Sequence, residues 1–176
     1  RALAEQAEYR DRFLHEARTA AGLSHPNIVP IHSVEDRGGL VFFVMGYVDG
    51  PTLRERVERA GPLPPRLAMK LMQEVAWALA YAHQRGVIHR DVKPDNIMIE
   101  QGTDRALVTD FGIALSRRDT GRREGEVIGT ARYMSPEQAC GEPLDARSDL
   151  YALGATFFYA LTGRPAFDGR TLPAIM

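Results

Sequence analysis

The stretch GVIHRDVKPDNIMI, at residues 86–99, places six polar or ionisable side chains between two apolar flanks. Burying such groups costs several kcal/mol unless each of them is paired or hydrogen-bonded. The stretch is therefore either an exposed turn or a site whose chemistry needs these side chains. The six residues are His89, Arg90, Asp91, Lys93, Asp95 and Asn96.

Two long helices are predicted by apolar residues that recur with the helical period. The first runs from Pro65 to Arg85, with prolines before its first turn and Gly86 just beyond its last turn. The second covers Ala146–Thr162 and stops at Gly163. Its apolar run at 150–161 is about half the length needed to span a bilayer, which favours a buried helix.

The N-terminal part of the chain has a different pattern. Residues 1–22 carry small and apolar residues at helical spacing among charges, and Gly22 is the predicted stop. Residues 25–36 and 39–48 are predicted to hold two strands around a turn at 37–39. The pattern changes near residues 46–49, so we expect an α+β fold with a small N-terminal lobe, a larger and mostly helical lobe, and a cleft.

Residues 89–96, which carry the six polar side chains, are called the crowded stretch. A β-hairpin is predicted directly after it, from strands at 97–100 and 106–109. Antiparallel pairing brings the residue that enters the first strand close to the residue that leaves the second, so Asn96 and Asp110 should be neighbours. Asp91 and Lys93 lie in the loop leading to that end. Oxygen ligands from Asp and Asn are what Mg²⁺ prefers, a Lys can neutralise a transferred phosphate, and a second Asp can accept a hydroxyl proton.

Composition and charge limit the classes of partner. The 22 basic and 23 acidic residues give a net charge of −1, which provides no broad field for nucleic acid or anionic lipid. We therefore expect no nucleic-acid partner and no membrane contact from this segment. Cys140 is the single cysteine, so no intrachain disulfide forms, and this fits a reducing compartment.

Several motifs, in a fixed order, resemble those of eukaryotic-type (Hanks-type) serine/threonine protein kinases, in detail the bacterial members. HRDVKPDN at 89–96 resembles the catalytic loop, DFG at 110–112 the magnesium motif, and GTARYMSPE at 129–137 the end of the activation segment. The segments at 13–29 and 148–154 resemble the regulatory helix with its following strand and the start of the helix that anchors the large lobe. The resemblance covers essentially all 176 residues.

The resemblance implies a two-lobed kinase-like fold that uses ATP and Mg²⁺ to phosphorylate protein hydroxyls. By this resemblance, Asp91 orients the substrate hydroxyl and accepts its proton, and Lys93 contacts the γ-phosphate. Asn96 and Asp110 hold the metal. Lys93 followed by Pro94 favours serine or threonine substrates over tyrosine, and Thr130 helps to position the acceptor.

Regulation is implied by the same resemblance. Arg90, beside the catalytic Asp, resembles the residue that pairs with a phosphorylated activation loop. Residues 116–127 are charged and glycine-containing, which predicts a mobile loop. A phosphate on Thr120 would face four nearby arginines, although arginines in an exposed loop are commonly only solvated. The candidate phosphoacceptors are Ser116, Thr120 and Thr130.

The nucleotide-binding residues implied by the resemblance lie between the lobes. Met45 corresponds to the residue at the back of the adenine pocket, and Met98 to the floor of that pocket. The backbone of Gly46, Tyr47 and Val48 corresponds to the hinge that pairs with adenine. Many relatives carry an acidic residue where this chain has Gly46, so we expect nucleotide binding to survive with a more flexible hinge.

The domain boundaries implied are a partial N-lobe at 1–45, a hinge at 46–49 and a partial C-lobe at 50–176. Glu16 matches the helix acid that contacts a lysine of the preceding strand, and Glu137 matches an acid paired with a distant arginine. Neither partner, nor the glycine-rich loop, is in residues 1–176. We therefore expect a catalytic domain truncated at both ends, with negligible phosphotransfer on its own.

Two other functions stay open at this point: a pseudokinase scaffold that recruits partners, and a phosphotransferase acting on small molecules. The intact set of Asp91, Lys93, Asn96 and Asp110 argues against the scaffold, and the segment at 129–137 argues against a small substrate. We expect protein substrates with Ser or Thr acceptors, a homodimer for autophosphorylation, and a cytoplasmic location, with any membrane anchor of the parent protein downstream.

Overall fold

A computed structural model of the chain describes residues 14–37, 40–111 and 129–169. Residues 14–21 are helical (α1), and the backbone N–H of Gly22 bonds the carbonyl of Arg18 at the helix end. Ala17 and Ala20 form its buried side. The predicted helix end at Gly22 is confirmed, whereas residues 1–13 lie outside the described part.

Two antiparallel strands follow, β1 (Ile31–Arg37) and β2 (Leu40–Met45). Both predicted strands are present, but they are shorter than the predicted segments. Residues 25–30 contain a turn at 26–27, an isolated bridge at Ile28 and two prolines, and Pro cannot donate a ladder hydrogen bond. The ladder ends where the backbone N–H of Gly46 bonds the carbonyl of Pro30 at 2.8 Å.

Helix α2 (Leu53–Ala60) was not predicted. It begins with a capping box, in which the Thr52 hydroxyl accepts from the N–H of Glu55 and the Glu55 carboxylate accepts from the N–H of Thr52. Such a reciprocal pair satisfies two of the free N–H groups at a helix start. The spacing Thr-x-x-Glu in the sequence could have revealed it.

Helices α3 (Pro65–His83) and α5 (Ala146–Thr162) form the centre of the core. The predicted α5 has the observed bounds and ends at Gly163, which adopts a left-handed conformation with φ of 71°. Helix α3 ends two residues before the predicted Arg85. The short helix α4 (Pro136–Cys140) precedes α5. No helix within the described ranges combines the length and apolar character needed to cross a membrane.

The hairpin of β3 (Ile97–Glu100) and β4 (Arg105–Val108) joins the two parts of the chain. On one side, the N–H of Val29 bonds the carbonyl of Val108, and the N–H of Val108 bonds the carbonyl of Asn27. On the other side, the N–H of Ile99 bonds the carbonyl of Pro51. A small sheet with a helix and a mostly helical second part thus confirm the predicted α+β class.

Candidate functional site

The crowded stretch is held by one buried carboxylate on α5. Asp149 is 1% exposed and accepts hydrogen bonds from the backbone N–H groups of His89 and Arg90, each at 2.8 Å. Its Oδ2 also lies 2.7 Å from Nε2 of His83 at the end of α3. The backbone at Arg90 has a φ of 67°, a region that non-glycine residues rarely adopt. Asp149 thus stabilises the strained turn of the loop.

His89 is fully buried, yet both ring nitrogens have partners. Nδ1 accepts from the N–H of Asp91 at 3.2 Å, so the ring proton is on Nε2, which donates to the carbonyl of Thr109 at 2.8 Å. The ring also packs against Phe111, with centroids 4.6 Å apart. This neutral histidine is a structural link between the loop and the end of β4.

Asp91, Lys93 and Asn96 converge at the end of the hairpin. Nζ of Lys93 lies 2.7 Å from Oδ2 of Asp91, and Nδ2 of Asn96 donates to the carbonyl and to Oδ2 of Asp91 at 2.7 and 3.2 Å. Nζ of Lys93 also donates to the hydroxyl of Thr130 at 3.3 Å. The structure therefore brings four of the sequence-predicted residues into direct contact.

Asp110 follows β4, beside Asn96. The N–H of Thr109 bonds the carbonyl of Asn96 at 3.0 Å, so the two chain ends of the hairpin meet as the antiparallel register requires. Asp110 is half-buried and has a φ of 63°. This left-handed residue ends the strand, which is why β4 stops before the predicted Thr109. Gly112, the last residue of the DFG motif, lies outside the described residues.

The donor set at this end of the hairpin fits a magnesium ion. Nδ2 of Asn96 donates to Asp91, which directs Oδ1 of the same amide away from Asp91, and Asp110 is the second residue after the paired strand β4. Mg²⁺ is commonly bound by one or two such protein oxygens together with phosphates and water. In the described ranges there is no cluster of three or more His, Cys, Asp or Glu side chains that would form an all-protein cage.

Arg90 and Glu16 contact each other. Nη1 of Arg90 lies 3.1 Å and 3.3 Å from the two carboxylate oxygens of Glu16, and both side chains are about one-third exposed or less. The resemblance implied other partners for both residues, and neither of those partners is among the described residues. The activation-loop candidates Ser116 and Thr120 lie outside these residues as well.

The predicted nucleotide-binding residues line the connection between the two parts. Met45 ends β2, and Met98 in β3 forms an isolated bridge with Thr52. The side chain of Tyr47 is 90% exposed, so a contribution to adenine binding would come from its backbone. Gly46 packs so closely on Pro30 that a Cβ atom would lie 2.9 Å from the proline Cγ. This close approach explains why position 46 is a glycine here.

A small cleft opens beside the Asp91 cluster. Ser135 caps α4, and Gln138 on this helix donates through Nε2 to the carbonyl of Arg90 at 2.7 Å. The cleft therefore lies between the predicted catalytic loop at 89–96 and the segment at 129–137, which is predicted to position an acceptor. It is lined by Arg90, Asp91, Val92, Thr130, Tyr133, Met134, Gln138 and Ala152.

Glu137 has a partner that the sequence did not suggest. The hydroxyl of Ser148 donates to its carboxylate and lowers the pKa of this acid. Asp149, His83 and Gln138 were not predicted from the sequence either. The Ser135-x-x-Gln138 capping box was a usable signal for α4, whereas nothing local marks Asp149 as the acceptor for residues about 60 positions earlier.

Comparisons with known proteins agree with these features. Residues 2–174 match the protein kinase domain family. The chain is 46% identical to serine/threonine-protein kinase PknB of Mycolicibacterium smegmatis, over 98% of this chain and 29% of the relative. It is 42% identical to serine/threonine-protein kinase PrkC of Bacillus subtilis, over 98% of this chain and 26% of that one. The chain thus spans less than a third of the length of these relatives.

A solved structure supports the same fold. A crystal structure of Rad53 residues 1–466 in complex with AMP-PNP superposes with a TM-score of 0.78 at 28% sequence identity. The match covers 94% of this chain and 41% of that chain.

Proposed function

This chain belongs to the protein kinase domain family, and we propose that the protein containing it transfers the γ-phosphate of ATP to serine or threonine hydroxyls of protein substrates. The family, the two-lobed fold and the resemblance to bacterial serine/threonine kinases, all predicted from the sequence, are confirmed. One observation supports the proposed reaction above all others. Hydrogen bonds link Asn96 to Asp91, Asp91 to Lys93 and Lys93 to Thr130, and Asp149 anchors the loop that carries the first three.

The reaction follows from the positions of these groups. The Asp91 carboxylate orients the acceptor hydroxyl and takes its proton as the oxygen attacks the γ-phosphorus. The new P–O bond forms as the bond between the γ-phosphorus and the β,γ-bridging oxygen breaks, and ADP leaves. Lys93, already directed at Asp91, neutralises charge on the transferred group. Thr130, in contact with Lys93, positions the acceptor.

We assign Mg²⁺ to Asn96 and Asp110. A bound metal ion would neutralise negative charge on the phosphates of the nucleotide. The chain's own part is to hold an amide oxygen and a carboxylate side by side at the end of the hairpin. The hydrogen bonds from Asn96 to Asp91 keep this ligand fixed relative to the base.

We assign the adenine to the connection between the lobes. The backbone of residues 46–48 would pair with the base, with Met45 behind it and Met98 beneath it. Glu16 would contribute to nucleotide positioning by pairing with a lysine on the strand before α1. To do so, it would give up its contact with Arg90.

We also propose that Arg90 binds a phosphate on the activation loop, with Thr120 as one acceptor, and that two copies phosphorylate each other. A cytoplasmic location agrees with the use of ATP and with the single cysteine. Residues 1–176 alone are expected to give negligible turnover, because the glycine-rich loop is not among them.

The experiment uses the full-length protein with labelled ATP, Mg²⁺ and a protein mixture. We expect label on serine and threonine of protein bands, and an Asp91→Asn variant should lose transfer while it remains folded. Asp104→Asn is a matched control, because this exposed turn residue has a φ of 50°, which asparagine tolerates. Full transfer by Asp91→Asn, or label confined to small molecules, would overturn the proposal.

A further inference from the structure

One member of the crowded stretch, Asp95, has no part in the reaction proposed above, yet it forms a two-point ion pair with Arg54. Nε of Arg54 donates to Oδ1 of Asp95 at 2.6 Å, and Nη2 donates to Oδ2 at 2.9 Å. This fork-to-fork arrangement fixes orientation as well as distance, which a lysine cannot reproduce. The two residues are 41 positions apart, so the pair connects separate elements.

The pair lies where several elements meet. Arg54 belongs to the first turn of α2, which follows the connection between the lobes, and its Cζ lies 5.5 Å from the ring centroid of Tyr159 on α5. The hydrogen bond to Asp95 raises the pKa of Arg54. Burial raises the pKa of Tyr133 to about 12, and nearby Arg54 opposes that shift. The guanidinium of Arg54 thus also lies near the segment at 129–137, which would position the acceptor.

Asp95 stands directly before Asn96 in a single 3-10 turn, Pro94–Asn96. This turn has no side-chain cap, and its own hydrogen bond runs from the N–H of Asn96 to the carbonyl of Lys93 at 3.0 Å. In so short a turn, a displacement of Asp95 moves the backbone of Asn96. The amide of Asn96 in turn donates to Asp91, so its position affects both the metal ligand and the base.

We propose that Arg54 is a positioning residue for phosphoryl transfer, which acts by holding Asp95 and thereby the 3-10 turn that carries Asn96. This inference rests on the proposed kinase function. It gives α2 an indirect role in the geometry of the reaction, because Arg54 in this helix holds Asp95. Arg54 itself touches neither nucleotide nor acceptor in this assignment.

The test measures kcat and the KM for ATP of the full-length protein with Arg54→Ala, Arg54→Lys and, as the control, Arg59→Ala. Arg59 is an exposed arginine in the last turn of the same helix. We expect Arg54→Ala to lower kcat roughly ten- to a hundredfold, the range that a misplacement of about 1 Å can produce, with little change in KM. Arg54→Lys should fall between Arg54→Ala and the control.

A charge exchange tests whether the pair itself matters. The double variant Arg54→Asp with Asp95→Arg should recover at least tenfold in kcat over the weaker single variant, since the fork can form in the opposite direction. Thermal unfolding is recorded for every variant, and Arg54→Lys decides the question if Arg54→Ala does not fold. A kcat for Arg54→Lys and Arg54→Ala within twofold of Arg59→Ala, or no recovery in the double variant, would overturn the inference.

Hydrogen exchange separates this inference from the proposed function. In Arg54→Ala or Arg54→Lys, the backbone amides of Asp95 and Asn96 should exchange faster than in Arg59→Ala, whether or not the protein transfers phosphate. An inactive wild-type protein with faster exchange in the Arg54 variants would reject the kinase function and keep the Arg54–Asp95 link. Unchanged exchange at both amides would reject the link itself.

Discussion

Nζ of Lys93 lies 2.7 Å from Oδ2 of Asp91, and each of the two residues is only 8% exposed. A nearly buried ion pair contributes little net stability compared with an apolar pair, but the loss of one partner leaves an uncompensated charge. The contact therefore has two consequences: it orients the carboxylate, and it makes the protein sensitive to changes at position 93.

Lys93→Met should lower the free energy of unfolding by about 3 kcal/mol, because it removes the cation and keeps most of the side-chain volume. Lys70→Met is the matched control. Lys70 is 44% exposed, lies 3.6 Å from Glu74 and also donates to the carbonyls of Thr103 and Asp104. Contacts of an exposed ammonium contribute about 1 kcal/mol or less, so the control should lose less stability. Urea unfolding of the two variants gives the comparison, and equal losses would contradict the buried character of the Lys93–Asp91 pair.

Asp149→Asn should both destabilise the protein and reduce transfer. An amide cannot accept from the N–H groups of His89 and Arg90 with both of its ends, and an unsatisfied buried N–H costs about 1–3 kcal/mol. Thermal unfolding and a phosphotransfer assay check the two effects. Asp145→Asn, at the exposed start of the same helix, should change neither, since asparagine is an equally good N-cap. Retained activity in Asp149→Asn would exclude its role in shaping the loop.

Gly46→Ala should destabilise the protein by about 1–3 kcal/mol and weaken nucleotide binding, because the added Cβ would lie 2.9 Å from Cγ of the Pro30 ring. Gly154→Ala is the control of opposite sign. No atom lies within 4 Å of a Cβ at that position, and alanine is favoured over glycine inside a helix by about 0.5–1 kcal/mol. Denaturant unfolding and titration with an ATP analogue give both quantities. A neutral Gly46→Ala would show that the ring moves aside freely.

Ser148→Ala should produce a stability loss that depends on pH. The Ser148 hydroxyl lowers the pKa of Glu137 from its ordinary value of 4.5, so this contribution is present above pH 4.5 and is lost as pH falls through the folded-state pKa. The difference in stability between wild type and variant should therefore shrink in acid.

Urea unfolding at neutral pH and below pH 4 provides that measurement. Thr162→Ala is the control, since this hydroxyl bonds only backbone groups, the carbonyls of Phe158 and Arg164 and the N–H of Arg164, and its contribution has no carboxylate to titrate. A pH-independent loss in Ser148→Ala would mean that the Glu137 contact does not determine that pKa.

Local patterns were sufficient for the elements that depend on periodicity and register. The apolar spacing of α3 and α5 predicted both helices, and antiparallel pairing predicted that the chain ends of the β3–β4 hairpin meet, where the N–H of Thr109 bonds the carbonyl of Asn96. What could not be predicted depends on contacts between distant positions. Asp149 accepts hydrogen bonds from residues about 60 positions earlier, and Arg54 pairs with Asp95, which lies 41 positions later. In neither case does the surrounding sequence contain a periodic pattern from which the partner residue could be predicted.

The roles of individual site residues stay predictions, since they come from the resemblance and not from a bound ligand. The structure adds the contacts that these roles would need: Lys93 reaches both Asp91 and Thr130, and Asn96 is tied to Asp91. For Arg90 and Glu16 it shows a mutual contact that neither motif suggested.

Val108 exchanges backbone hydrogen bonds with Asn27 and Val29 and stands two positions before Asp110. Any movement of the N-terminal part that breaks these hydrogen bonds would therefore also disturb the end of β4, which leads to the proposed metal ligand Asp110. Nucleotide release and local unfolding at Asp110 should then occur at one common rate. Hydrogen exchange at the backbone amide of Val108 would report that rate.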